Sequence, residues 1–332
     1  MRDPWFHMAL WFMMRFRTVK DAIALPLHRF GHLLAGAPRS LSRAIISPLG
    51  AAAKAAYFVP GHLSGTVGNF CRVTDRTDPW PIYSRMVDNV LSAALHFARL
   101  HRHGRSGLLA QTTIAPAVAA ELQRLRQDGK GAIIVVPHCV GAVLSSAKLN
   151  TACPAVLLVK EPRNPGRCEL MLKYVRELGP EYILARRTPP ATVMRQIVRA
   201  LHDGKVVVGT TDLVNAGDDS VETQMFGQRI FSPGWPARLS ARFNVPILPG
   251  YIHMDGHQIV LLGDESFLEG DIDRGTQRWA SSFEKHFRQY PSDWAFMLDK
   301  NWARVLANAA NSVTTTPPFR TNILRSERAR QR

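Results

Sequence analysis

The sequence predicts an α/β fold: a mostly parallel sheet flanked by helices, with an N-terminal helical region ahead of it. Three observations point there. From about Ala117 onward, short apolar runs alternate with amphipathic stretches of helical length, which is the pattern of parallel strands joined by helical crossovers. The runs "AIIVV" and "VVVG" are apolar throughout rather than alternating, as strands covered on both faces must be. The chain's 332 residues, 46% of them hydrophobic, are enough for one large core.

Taken in order, residues 1–116 read as a helical, amphipathic, membrane-interfacial region. The stretch "HRFGHLLAGAPRSLSRAIISPLGAAAKAAYFVPGHL" mixes apolar residues with Arg, Lys and His, and prolines at 26, 38, 48 and 60 divide it into short pieces. Short basic amphipathic helices flanked by Trp and Phe suit an interfacial anchor, and they equally suit helices packed on a core. The run "WFHMALWFMM", Trp5 to Met14, falls short of the roughly 20 apolar residues that a membrane-spanning helix needs. Asp3 and the arginines that end the run also argue against reading it as a signal peptide.

Residues 117–307 carry the alternation. A helix through "AVAAELQRLRQDGK" leads to the strand Ala132 to Val136, a helix from Gly141, the strand "AVLLVK" and a helix through "CELMLKYVRELG". The strand "EYILA", the helix "ATVMRQIVRALHDGK" and the strand "VVVGTTD" follow. A loop then leads through "QMFGQRIFSPG" into a helix, the sheet continues with "QIVLLGD", and a long helical stretch closes the region. Residues 308–332 are polar and basic and are expected to form a disordered tail. Functional groups of such sheets collect at the carboxyl ends of the strands, where His138 and Asp212 both stand.

Charge and cysteine content narrow the function. Lys and Arg number 42 against 26 Asp and Glu, so the protein should attract polyanions, with an anionic membrane and nucleic acid both eligible. The basic residues are spread along the chain, and no helix-turn-helix, zinc or RRM signature accompanies them, so nucleic acid is the weaker partner. The four cysteines form no CxxC spacing, which is consistent with a reducing, cytoplasmic location and provides no metal site.

The order of motifs carries a resemblance. A strand runs into His138, "VKEPRNP" follows the next strand, and "LHDGKVVVGTTD" ends at Asp212. The pair Phe226–Gly227 precedes "PGWPARLSARFNVPILP", and "YPSDWAFMLDKNW" closes the region. In this order and spacing the chain resembles the lysophospholipid acyltransferase superfamily, most closely the lipid A lauroyl or myristoyl acyltransferase type. The resemblance implies a peripheral protein on the cytoplasmic face of a membrane, the inner membrane in a bacterium. It would move a fatty acyl chain from an acyl carrier protein or coenzyme A thioester to a hydroxyl of a glycolipid or lysophospholipid. The acyl thioester is then a co-substrate, and no metal or tightly bound cofactor is implied. The chemistry is intelligible on its own terms, since a neutral imidazole with a pKa of about 6.5 is well matched to take a proton from an alcohol. His138 is the candidate base.

The family motif is His-x4-Asp or His-x4-Glu, and here the fifth position after His138 is Val143. None of the other eleven histidines has an acid at that offset. In the serine-protease template, loss of the carboxyl charge that orients the imidazole costs about four powers of ten in rate, so the departure matters. Three readings compete. Another group holds the ring, with Ser145, Ser146, a backbone carbonyl or Asp212 as candidates; or the protein is a lipid-binding or regulatory relative that has lost catalysis; or Cys139 is a nucleophile. If a substitute partner exists, Val143 is expected to pack against a neighbouring helix. Arg163 stands where the family has a basic residue that meets a phosphate or the developing oxyanion, and its fork of donors suits either. It is equally a surface arginine in a turn. Ser145, Ser146, Arg186, Arg187, Phe226 and Gly227 complete the candidate substrate-binding set.

Overall fold

The computed structural model describes residues 37–315, apart from residues 215, 216 and 218. Trp5 to Met14 and residues 316–332 of the expected tail lie outside the described residues. The chain begins with helices α1 (Arg39–Ala55), α2 (His62–Val73) and α3 (Trp80–Leu109). Pro38 caps α1, whereas Pro48 sits inside it, so the prolines divide this region less than their number suggests. Strand β1 (Thr112–Ile114) and helix α4 (Pro116–Gln127) lead into the alternating unit. That unit runs β2 (Ala132–Val136), α5 (Ala142–Ala152), β3 (Ala155–Val159), α6 (Pro165–Leu178), β4 (Glu181–Leu184), α7 (Pro190–His202) and β5 (Val206–Thr210). A hairpin of β6 (Ser220–Met225) and β7 (Gln228–Pro233) follows, then α8 (Trp235–Phe243), β8 (Ile247–Asp255), β9 (Gln258–Gly263), α9 (Ile272–Gln289) and α10 (Lys300–Thr315).

Seven strands form one sheet in the order β1-β9-β8-β2-β5-β3-β4. Strands β8, β2, β5, β3 and β4 are mutually parallel, and β9 returns antiparallel to β8. The unbroken apolar run of β2 is explained by burial on both faces. Ile133 and Val135 join a core shared with α2, α9 and α10, while Ala132, Ile134 and Val136 join a second core with α4 and α5. Burying side chains of this size is worth roughly 1.5–3 kcal/mol each. Helix α9 contributes Trp279, Phe283 and Phe287, all fully buried.

Four expectations are corrected. The region before residue 117 is not wholly helical or separate, because β1 pairs with β9 and the side chains of Val67 and Phe70 in α2 are completely buried in the core. "QMFGQRIFSPG" is the β6–β7 hairpin rather than a loop, and its turn places Phe226 and Gly227 at positive φ, 52° and 70°. The closing helical stretch is broken at Tyr290 and Pro291 into two short 3₁₀ turns, Pro291–Asp293 and Ala295–Leu298, before α10 begins. Helix α10 then continues past residue 307 to Thr315 and buries Ala309 and Ala310, so the tail cannot begin at 308. Among the described residues no helix is long and apolar enough to cross a membrane.

Candidate active site

Sheet register brings His138 and Asp212 together. In the paired strands β2 and β5, Val136 stands opposite Thr210, and each chain reaches its polar residue two positions further on. The His138 Nδ1 lies 2.5 Å from Asp212 Oδ1. A carboxylate accepts, so Nδ1 carries the proton and Nε2 is left with its lone pair available. The Asp212 side chain is fully buried and that of His138 is 29% exposed, which leaves the ring accessible from one side only.

A buried carboxylate must be satisfied on both oxygens. The indole Nε1–H of Trp294 donates to Asp212 Oδ2 at 3.0 Å, and that of Trp302 donates to the Asp212 backbone carbonyl at 2.7 Å. Trp294 belongs to the break between the two 3₁₀ turns, and the same segment clamps the loop carrying His138. Val140 N–H donates to Asp293 O and Ala295 N–H donates to His138 O, both at 2.8 Å. Phe296 stacks on the His138 ring at 3.6 Å with an interplanar angle of 4°. Asp293 anchors the segment in turn, accepting from Asn89 Nδ2 at 2.9 Å and Met254 N–H at 3.1 Å and lying 2.7 Å from His253 Nδ1. Neither Trp294 nor Asp293 was distinguishable in sequence as a supporting residue, although "YPSDW" contains both.

The same register rule operates one pair of strands away. Val159 of β3 stands opposite Leu184 of β4, and two residues on, Glu161 meets Arg186. Glu161 is fully buried and accepts the backbone N–H groups of Arg186 at 3.0 Å and Arg187 at 2.6 Å, while the Arg186 guanidinium donates to the Glu161 carbonyl. Burial works against its charge, but these backbone donors prevail and hold the carboxyl below the usual carboxylate range. Glu161 therefore fixes two loops at the carboxyl edge of the sheet. A charged residue directly after an apolar strand was its only signal in the sequence.

The remaining candidates divide. Arg163 is exposed in the loop after β3, and Arg186 and Arg187 are exposed after β4, all at the same sheet edge as His138. Arg163 makes no ion pair among the described residues, and the Asp212 carboxylate is held by His138 and Trp294. Ser145 and Ser146 are buried, with hydroxyls donating back to the carbonyls of Ala142 and Val143, so neither holds the ring. Phe226 is buried against Phe70, Trp294 and Trp302 and reaches the site through the two tryptophans, and Gly227 completes the hairpin turn. The structure accounts for this pair by packing and by the hairpin turn. Val143 is 46% exposed on the first turn of α5, not packed against a helix as expected. Cys139 is buried, and burial pushes its thiol far up, which removes it as a nucleophile. Among the described residues no cluster of His, Cys, Asp and Glu suits a metal.

No match is found among curated proteins. A family model described as bacterial lipid A biosynthesis acyltransferase matches residues 12–304, so the helices before the sheet are part of the same family unit. By that match over most of its length, the chain belongs to the bacterial lipid A biosynthesis acyltransferase family.

Proposed function

We propose that the protein transfers a fatty acyl chain from a thioester donor to a hydroxyl of a glycolipid or lysophospholipid at a membrane surface. The observation that carries this reading is the His138–Asp212 contact, which leaves Nε2 as a free base on the open side of the ring. In the reaction Nε2 takes the proton of the acceptor hydroxyl while its oxygen attacks the thioester carbonyl. The tetrahedral oxyanion collapses, the carbon–sulfur bond breaks, and the leaving sulfur takes the proton back from the imidazolium. An ester and a free thiol result. Asp212 holds the tautomer and stabilises the imidazolium, as a buried carboxylate does in serine hydrolases. Arg163, at the neighbouring strand end, is available to the oxyanion or to a phosphate of either substrate, and Arg186 and Arg187 extend the cationic edge. The alternative of a relative without catalysis rested on the missing acid at Val143, and the His138–Asp212 contact supports the catalytic reading over it.

Membrane attachment is part of the proposal. Leu41, Ile45 and Leu49 form an exposed apolar stripe along α1, continued by exposed Phe58 and Val59. Such a stripe beside basic residues suits the acyl boundary of a bilayer. The test is lipid mass spectrometry of cells with and without the gene. A mass difference of one acyl chain on a single lipid class is the expected result. Identical lipid profiles, together with no transfer from any acyl thioester in vitro, would refute the proposal.

A further inference from the structure

The carboxyl edge of the sheet carries a second His–Asp contact beside the first. Strand β8 pairs with β2 as far as Pro249, opposite Val135, and then runs on to Asp255, so that it flanks the loop carrying His138. Side chains alternate along this overhang. Ile252 and Met254 enter the core shared with α4 and α5, while Tyr251 packs on Phe283 of α9 and His253 on Tyr290 at its end. His253 therefore stands where an apolar residue would serve the core, and its Nδ1 lies 2.7 Å from Asp293 Oδ2. The Asp293 side chain is 2% exposed and that of His253 21%.

A carboxylate buried this deeply costs free energy that well-packed apolar residues would not, so stability alone is a poor reason for the pair. Its position offers a better one. Asp293 Oδ1 accepts from Asn89 Nδ2 at 2.9 Å and from Met254 N–H at 3.1 Å, so α3 and β8 grip this one residue from two sides. The Asp293 carbonyl accepts from Val140 N–H, and the next three residues carry the contacts to the dyad: Trp294 with the Asp212 carboxylate, Ala295 with the His138 carbonyl and Phe296 with the His138 ring. Asp293 and Trp294 thus place adjacent side chains on the two His–Asp pairs.

We infer that His253 is a positioning residue for acyl transfer: its bond to Asp293 fixes the segment on which the orientation of the His138 ring depends. The inference rests on the acyl-transfer reading above. A misplacement of about 1 Å can cost about a hundredfold in rate, so a contact outside the chemistry gains leverage through a rigid segment. Asp293 accepts an N–H at the Nδ1 position, and the imidazole as such is not required. The amide nitrogen of an asparagine reaches the same place.

The test compares His253→Phe, which fills the space without a donor, with His253→Asn, which keeps one, in the full chain with cooperative unfolding confirmed. Initial rates are measured with dodecanoyl donors bound to acyl carrier protein and to coenzyme A, on a lipid extract of cells lacking the gene. In His253→Phe, kcat should fall about tenfold or more with KM little changed, and His253→Asn should recover it to within about threefold of the parent. Combining His253→Phe with Trp294→Phe should cost less than the product of the separate losses, because both act through one segment. His286→Phe, a buried change on α9 that leaves the Asp293 bonds in place, should keep kcat within about twofold. Amide hydrogen exchange, read by mass spectrometry, gives a measure that needs no activity: Val140 and Ala295 should exchange about tenfold faster in His253→Phe and at the parent rate in His253→Asn. Unchanged kcat or unchanged exchange in His253→Phe overturns the inference. So do equal losses in His253→Asn, losses that multiply with Trp294→Phe, or an equal loss in His286→Phe. Asn89→Leu withdraws the α3 donor from the same carboxylate and repeats the test should His253→Phe not fold; kcat within about twofold of the parent there also overturns it. A parent that transfers from neither donor refutes the acyl-transfer reading, while the exchange rates still decide whether His253 holds the segment.

Discussion

Trp294→Phe isolates what supports Asp212. The substitution keeps an aromatic ring in the stack with Phe287, whose centroid lies 3.9 Å away, but removes the donor to Asp212 Oδ2. Both residues are buried, so water cannot replace the lost bond. A hydrogen bond to a charged group is worth roughly 1.5–3 kcal/mol, and the missing ring atoms leave a cavity costing about 1 kcal/mol more. The expected loss of stability is therefore about 2.5–4 kcal/mol, read as a shift in the urea midpoint. If half of the bond energy, about 0.75–1.5 kcal/mol, goes into holding the carboxylate against His138, the rate falls by about 4- to 13-fold. Trp302→Phe is the matched control. It removes a similar ring and a donor to the Asp212 backbone carbonyl rather than to its carboxylate, so stability should drop while the rate falls by less than about threefold. Equal rate losses in the two variants, or full activity in Trp294→Phe, would refute the assignment of Trp294 as a positioning residue.

Val143→Glu places an acid at the family motif position. Because Val143 is exposed in the first turn of α5, stability should stay level or rise by about 0.3–1 kcal/mol. The rate should not improve, since His138 Nδ1 already has its carboxylate, and a tenfold gain in acyl transfer would show that Asp212 is not the working partner. Glu161→Gln, measured by thermal unfolding, should cost roughly 1.5–3 kcal/mol through its weakened hold on Arg186 and Arg187; an unchanged midpoint would contradict it. The His286 imidazole is held down to about 3, chiefly by burial and then by nearby His253, with Asp264 opposing. The unfolded chain takes up that proton near pH 6.5 and the folded one does not, so stability should fall as pH drops from about 6.5 towards 3, by up to about 1.4 kcal/mol per pH unit. His286→Phe retains the stacking on Tyr251 and should flatten that slope in urea unfolding across the same pH range, whereas an unchanged slope would contradict the assignment.

The parallel sheet was legible because its strands are covered on both faces and so lose the alternation that would otherwise blur them. His138 and Asp212 were legible as strand-end residues. Their contact was one of several open choices, because sequence does not reveal that β5 inserts between β2 and β3. Once that order is known, equal offsets beyond Val136 and Thr210 make the pair nearly inevitable. The β6–β7 hairpin escaped notice because its turn places Phe226 at positive φ, where an Asn or Asp would have signalled it. The support from Trp294 and Asp293 was illegible for a different reason. Both act across more than eighty residues of chain separation in at least one contact, Trp294 with Asp212 and Asp293 with Asn89, and local pattern carries no trace of such a distance.

The most direct test of the account is the initial rate of acyl transfer by purified parent and Asp212→Asn proteins, with folding confirmed by a cooperative unfolding transition. An amide at this position keeps the shape, loses the charge and no longer enforces the Nδ1–H tautomer. The account predicts a fall in kcat by about three to four powers of ten with the KM values little changed. A variant that retains kcat within about threefold of the parent would contradict the claim that His138 works as a base held by Asp212.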